Sequence, residues 1–137
     1  MSKTNIHRVT IRFGDCDPAG IVFFPRYFEM INDCVETFFD EVLGLPFEEL
    51  LRHGGVPTAE ISTRFTAPSR HGDKLAFILD CTKLGRTSLG LEIVATCKGE
   101  TRFISNSTLV YVNREGRPTP WPEHVATTLQ KIVKGGE

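Results

Sequence analysis

Between Pro25 and Gly44 the apolar residues recur at helical spacing. Tyr27, Ile31, Cys34, Val35, Phe38 and Val42 share one stripe, and Glu29, Asp33, Glu36 and Asp40 lie opposite. Proline suits the first helical position and glycine the residue just past the last turn. At 1.5 Å per residue this predicts one helix of roughly 28 Å. Phe28, Phe39 and Leu43 widen the apolar stripe, so the helix needs apolar contact around much of its circumference and is expected to be wrapped by a sheet.

The rest of the chain supplies that sheet, because it alternates with period two. Val9, Ile11 and Phe13 make a first strand, and Ala59 to Ala67 a second. Leu75, Phe77, Leu79 and Cys81 make a third, Leu89 to Cys97 a fourth, and residues 102–112 a fifth. Gly85-Arg86 and Lys98-Gly99 provide turns that link the last three into an antiparallel meander. Short helices are expected over 47–53 and 122–133. The prediction is an α+β layer of one long helix and a five-stranded antiparallel sheet, forming one domain over residues 1–137. A single such layer leaves the sheet's other face or its edges uncovered, which favours a dimer or larger assembly.

Composition narrows the function classes. Sixteen Lys+Arg against seventeen Asp+Glu leave a net charge of −1, so nucleic acid and anionic membrane surfaces are not expected as partners. No apolar run approaches the roughly 18 residues of a membrane span, and residues 1–5 lack a signal-peptide core; a cytoplasmic location is expected. Cys16, Cys34, Cys81 and Cys97 are scattered, without a C-x-x-C pair or clustering with His7, His53, His71 or His124. They are expected to be reduced thiols, at least three packed as small apolar groups, with no metal site. Dinucleotide, P-loop and nucleophile-elbow motifs are all missing.

The segment between the first strand and the helix, Gly14 to Tyr27, is unlike an ordinary polar loop. Asp15, Cys16 and Asp17 precede Ile21, Val22, Phe23 and Phe24, which run straight into the helix start. An inward-packed loop carries its acids with it. A carboxylate there can act as base or nucleophile. Free backbone N–H groups near Phe24 can polarise a substrate carbonyl. The competing structural role is a turn cap from Asp15 or Asp17 with the aromatics as core. Cys16 has no base beside it in the loop, which disfavours a thiol nucleophile.

The pattern Asp15-x-Asp17-x-x-Gly20-x-Val22-x-x-x-x-Tyr27 is similar to the signature of hotdog-fold acyl-CoA thioesterases. Phe13 to Val22 most resembles the 4-hydroxybenzoyl-CoA thioesterase branch. Phe65 with Pro68, and Gly72-Asp73, match later features of the family; the stretch after Trp121 carries no resemblance. The resemblance implies a hotdog fold, a curled sheet around the central helix, in a homotetramer or dimer with the pocket at a subunit interface. It implies hydrolysis of an acyl-CoA, 4-hydroxybenzoyl-CoA or another aryl or medium acyl-CoA, without metal or cofactor, CoA being part of the substrate. Asp17 takes the place of the catalytic carboxylate, as nucleophile or general base, and the Phe24 N–H that of the carbonyl-polarising donor. Phe23, Tyr27 and Phe28 are candidates for the acyl pocket. Lys83, Arg86 and Ser88 are candidates for the CoA phosphates, with Arg64, Arg70 and Lys74 behind them. Many relatives outside the branch carry a His between the Gly and Tyr of the signature, and Ile21 to Arg26 has none. A hydratase or dehydratase of the same fold wants that His; a non-catalytic acyl-CoA-binding module is the other alternative.

Overall fold

The computed structural model describes residues 5–133. In chain order they form β1 (Asn5–Thr10), a 3-10 turn (Phe13–Asp15), α1 (Pro25–Glu41), α2 (Phe47–Leu50), β2 (Gly54–Gly55) and β3 (Thr58–Phe65). Then follow β4 (Lys74–Leu84), β5 (Ser88–Cys97), β6 (Glu100–Val110), β7 (Val112–Asn113) and α3 (Glu123–Ile132). Five strands make one antiparallel sheet in the order β1-β4-β5-β6-β3, and β2 with β7 forms a separate two-stranded ladder.

The period-two and helical patterns predict the core well. Leu75, Phe77, Leu79 and Cys81 of β4 are buried, as are Leu89, Leu91, Ile93, Ala95 and Cys97 of β5. Tyr27, Met30, Ile31, Cys34, Val35, Phe38 and Phe39 of α1 belong to the same apolar cluster. Burial pushes the thiols of Cys34 and Cys81 up to about 12, so both are neutral fillers. Val125 and Leu129 of α3 close the cluster, and Trp121 stacks on Tyr111 with ring centroids 5.3 Å apart.

Among the boundaries that differ from expectation, three have a clear local reason, while α2 stops at Leu50 rather than residue 53 and β3 at Phe65 rather than Ala67. The first strand begins at Asn5 and stops at Thr10 rather than reaching Phe13. The Asp15 carboxylate accepts the Arg12 N–H at 2.8 Å and coils residues 13–15 into the 3-10 turn, leaving Phe13 80% exposed. The helix ends at Glu41, three residues short of Gly44, where Leu45 N–H turns back to the Phe39 carbonyl and Gly44 takes φ +65°. The expected fifth strand splits into β6 and β7, because residues 112–113 leave the main sheet to pair with Gly54–Gly55. A Cβ on Gly54 would lie 1.9 Å from the Val112 carbonyl oxygen, so that pairing admits only glycine.

Strand order decides what the sheet leaves open. β3 joins the meander beside β6, not beside its sequence neighbour β4, and so becomes an edge. Seven of its eight residues are exposed, including Ile61 at 40% and Phe65 at 43%.

Candidate active site

The loop ahead of α1 is a small ladder of its own. Cys16 bridges Val22, and Asp17 N–H donates to the Ile21 carbonyl at 2.9 Å. Between them the chain reverses: Gly20 N–H donates to the Asp17 carbonyl at 2.8 Å, and Ala19 N–H to Asp17 Oδ1 at 2.9 Å. Gly20 sits at φ +83°, a conformation that costs a side-chain-bearing residue strain. Asp17 does cap this turn, but through one carboxylate oxygen. Oδ2 makes no hydrogen bond among the described residues, and the residue is half-buried.

At the start of α1 the donors are accounted for one by one. Pro25 has none. Arg26 N–H donates to the Phe23 carbonyl at 2.8 Å and Tyr27 N–H to the Phe24 carbonyl at 3.0 Å. The Phe23 N–H goes to the Asp15 carbonyl at 2.9 Å. Phe24 N–H alone of this group has no partner among the described residues, and Phe24 itself is 56% exposed. A free N–H at a helix N-terminus, backed by the helix dipole, is suited to an oxygen that gains negative charge.

Beside this donor lies an open apolar cavity of about 570 Å³, walled by Ile21, Val22, Phe24, Tyr27 and Phe65 to Pro68. Tyr27 is 4% exposed and stacks on Phe65 with ring centroids 5.7 Å apart; burial raises its phenol above the ordinary value, so it stays neutral. Asp17 is not part of the wall. It stands one rung behind, paired to Ile21.

The loop is held from outside. Val22 N–H donates to the Ser69 carbonyl at 2.9 Å, Ile21 bridges Arg70, and Gly72 N–H donates to the Ile11 carbonyl at 2.8 Å. The turn Ser69–Asp73 is in turn fastened to β6 by Arg102. Its Nη1 donates to Asp73 Oδ2 at 2.8 Å, to Ser69 Oγ at 3.1 Å and to the Pro68 carbonyl at 3.1 Å. The guanidinium holds the Asp73 carboxyl below its usual range, helped by the Arg70 N–H. Glu100 Oε1 lies 2.9 Å from Arg102 Nε, but without the alignment of a hydrogen bond.

Of the sequence candidates, Phe24 and Tyr27 line the same cavity, and Asp17 is tied to Ile21 of its wall. Phe23 does not line the cavity; it is half exposed and meets Phe24 edge-on at 6.0 Å. Phe28 lines a second cavity further along α1. Lys83, Arg86 and Ser88 are not brought to Asp17 by one chain. The loop is tied to the Lys74 end of β4, and Lys83 is nine residues along that strand, roughly 30 Å away. At that far end the Arg86 and Ser88 carbonyls accept from the Trp121 backbone and indole N–H groups at 3.2 and 3.1 Å. Arg70 comes close to the loop, its Nη1 lying 3.9 Å from where a Cβ on Gly20 would sit. Arg102 and Ser69 were not legible, because a lone Arg in a strand carries no pattern; Asp73 was noted only within the Gly72-Asp73 match, without its partner.

Residues 11–129 match the Thioesterase-like superfamily, and the chain belongs to it. The chain is 32% identical to the 4-hydroxybenzoyl-CoA thioesterase of Pseudomonas sp. (strain CBS-3) over 87 residues, which is 61% of this chain and 60% of that protein. It is 28% identical to the 1,4-dihydroxy-2-naphthoyl-CoA hydrolase of Thermosynechococcus vestitus over 121 residues, 82% and 81% of the two chains. The fold is similar to that of a solved gentisyl-coenzyme A thioesterase, with TM-score 0.83 and 29% identity over 88% of this chain and 98% of that one. The expected hotdog fold is therefore the one present, a five-stranded antiparallel sheet with one long helix.

Proposed function

We propose that the chain hydrolyses an acyl-CoA thioester to the free acid and CoA, with Asp17 as the reacting carboxylate and the Phe24 N–H as the donor to the thioester oxygen. The observation that carries this reading is the pairing, on one short loop, of a half-buried carboxylate with a free oxygen and the one unclaimed N–H of a helix start. Asp17 either attacks the carbonyl carbon, expelling the CoA thiolate and leaving an anhydride for water to cleave, or removes a proton from the attacking water. In both, negative charge grows on the carbonyl oxygen, and a fixed dipole favours it over the ground state. No metal or bound cofactor enters this scheme.

The apolar, aromatic wall suits an aryl acyl group, and aryl-CoA thioesters are what the three named relatives act on. Their names differ in the ring, so 4-hydroxybenzoyl-CoA is one candidate among several. The working unit in this reading is a dimer or tetramer, with exposed β3 as the surface a second copy covers. Such a copy is also the source from which Lys83, Arg86 or Ser88 can reach CoA bound at a neighbour's Asp17.

Thiol release from benzoyl-, 4-hydroxybenzoyl-, 2,5-dihydroxybenzoyl-, 1,4-dihydroxy-2-naphthoyl- and octanoyl-CoA tests the reading. Wild type is expected to turn over at least one aryl-CoA, and Asp17→Asn to lose kcat by at least a hundredfold while keeping its circular dichroism. Near wild-type turnover in Asp17→Asn overturns the assignment. Binding without thiol release on the whole panel favours an acyl-CoA-binding module, and hydration of an enoyl-CoA a hydratase.

A further inference from the structure

A second apolar cavity of about 420 Å³ lies between α1, α2 and the β3–β6 edge, and the first site does not use it. The two cavities share no lining residue, but they adjoin through aromatic rings: Phe28 of the second meets Phe24 and Phe65 of the first. From the N-cap of α1 onward, Phe24, Phe28, Ile31 and Val35 follow at helical spacing, covering roughly 17 Å of axis. On β3, Phe65 and Ile61 share a face by the period of two. Phe24 and Phe65 belong to the first cavity, and Phe28, Ile31, Val35 and Ile61 to the second.

Phe28 stands between them. Its ring lies edge-to-face on Phe24 with centroids 6.5 Å apart and on Phe65 with centroids 6.4 Å apart, while Phe24 meets Phe65 at 6.0 Å. These three mutually packed rings stand between the first cavity, which Phe24 and Phe65 line, and the second, which Phe28 lines. Replacing the phenyl ring of Phe28 by a methyl group opens that wall.

We propose that Phe28 is the floor of the acyl pocket, restricting the enzyme to compact acyl groups, and that the cavity behind it accepts a linear alkyl tail once the ring is removed. This rests on the thioesterase reading for its substrate and on the ring geometry for its specificity. An alkyl tail is the occupant the continuity with the acyl site selects, since Val35, Leu50 and Leu109 behind Phe28 are buried apolar groups. Each methylene that gains a buried position tightens transition-state binding about fourfold, equal to ~0.8 kcal/mol. Wild type gains nothing from methylenes beyond the floor.

The test compares kcat/KM for benzoyl-, butanoyl- and octanoyl-CoA in wild type, Phe28→Ala, Phe28→Tyr and the double variant Phe28→Ala/Val56→Phe. Val56 lines the second cavity and a larger ring there fills it. The octanoyl-to-benzoyl ratio is expected to rise at least tenfold in Phe28→Ala, to stay at the wild-type value in Phe28→Tyr, and to fall back in the double variant. Calorimetric binding of the unreactive thioethers S-octyl-CoA and S-benzyl-CoA reports the same ratio without catalysis. If wild type hydrolyses no thioester yet the thioether ratio shifts in Phe28→Ala, the reaction is wrong and the floor stands. An unchanged ratio in a folded Phe28→Ala overturns the floor, whatever wild type hydrolyses. So does a change of sedimentation coefficient without a change of ratio, which would make the second cavity a subunit contact.

Discussion

Arg102→Met is the substitution whose cost the structure defines most sharply. Three hydrogen bonds leave with Nη1, and what they leave behind differs. Ser69 is fully buried, so its hydroxyl loses a partner without gaining water. Asp73 keeps the Arg70 N–H, and its side chain is 23% exposed, so solvent partly compensates. Removing one member of a buried ion pair costs about 3–5 kcal/mol. Partial exposure of Asp73 puts this pair at the low end, ~3 kcal/mol, and at about 3 °C per kcal/mol for a chain of this size Tm should fall by about 10 °C.

The pH dependence separates this ion pair from simple loss of packing. The folded-state pKa of Asp73 is depressed, chiefly by the hydrogen bond from Arg102. Its stabilisation is therefore complete above the unfolded carboxylate value of about 3.9 and disappears as pH falls through the lower folded value. Asp73→Asn should be less stable than wild type at pH 7, and the gap should begin to narrow below about pH 4 as the carboxylate of the unfolded chain takes up its proton. Differential scanning calorimetry at fixed protein concentration across pH 3–7 measures both. A Tm for Arg102→Met within about 2 °C of wild type, or a gap for Asp73→Asn that does not change with pH, refutes the reasoning.

Other expectations follow from single contacts. Phe24→Pro deletes the free N–H while keeping φ near its observed −54°, so its kcat should drop about 10²–10³-fold below that of Phe24→Ala, which loses only the ring; equal kcat values in steady-state assays remove Phe24 N–H from the mechanism. Gly20→Ala places a Cβ at φ +83° and should cost about 1 kcal/mol in denaturant unfolding, with a larger effect on kcat than on KM. Leu129→Ala hollows the fully buried α3 contact and should cost about 2–5 kcal/mol by the same measurement, with aryl-CoA kcat unchanged. Cys34 and Cys81, with thiols pushed up to about 12, should resist iodoacetamide at pH 8 until the protein unfolds, as read by mass spectrometry.

Periodicity is a local property, and whatever depends on it was legible in the chain. The buried stripe of α1, the inward faces of β4 and β5 and the turns at Gly85 and Lys98–Gly99 all follow from which neighbours in sequence share a side. The loop from Asp15 to Phe24 was legible for the same reason: acids, a turn glycine, apolar residues and a proline succeed one another within one segment. What needed the tertiary structure is whatever depends on pairing between distant segments. Only the docking of β3 against β6 makes an exposed edge of a strand whose alternation reads as half-buried. Only strand direction puts Lys83 and Arg86 at the opposite end of the sheet from Asp17, since eleven residues of β4 separate its two ends by the rise of an extended chain. And Arg102 acquires its role from Ser69 and Asp73, some thirty residues earlier, because a buried guanidinium satisfies its donors with whatever acceptors the fold brings within reach.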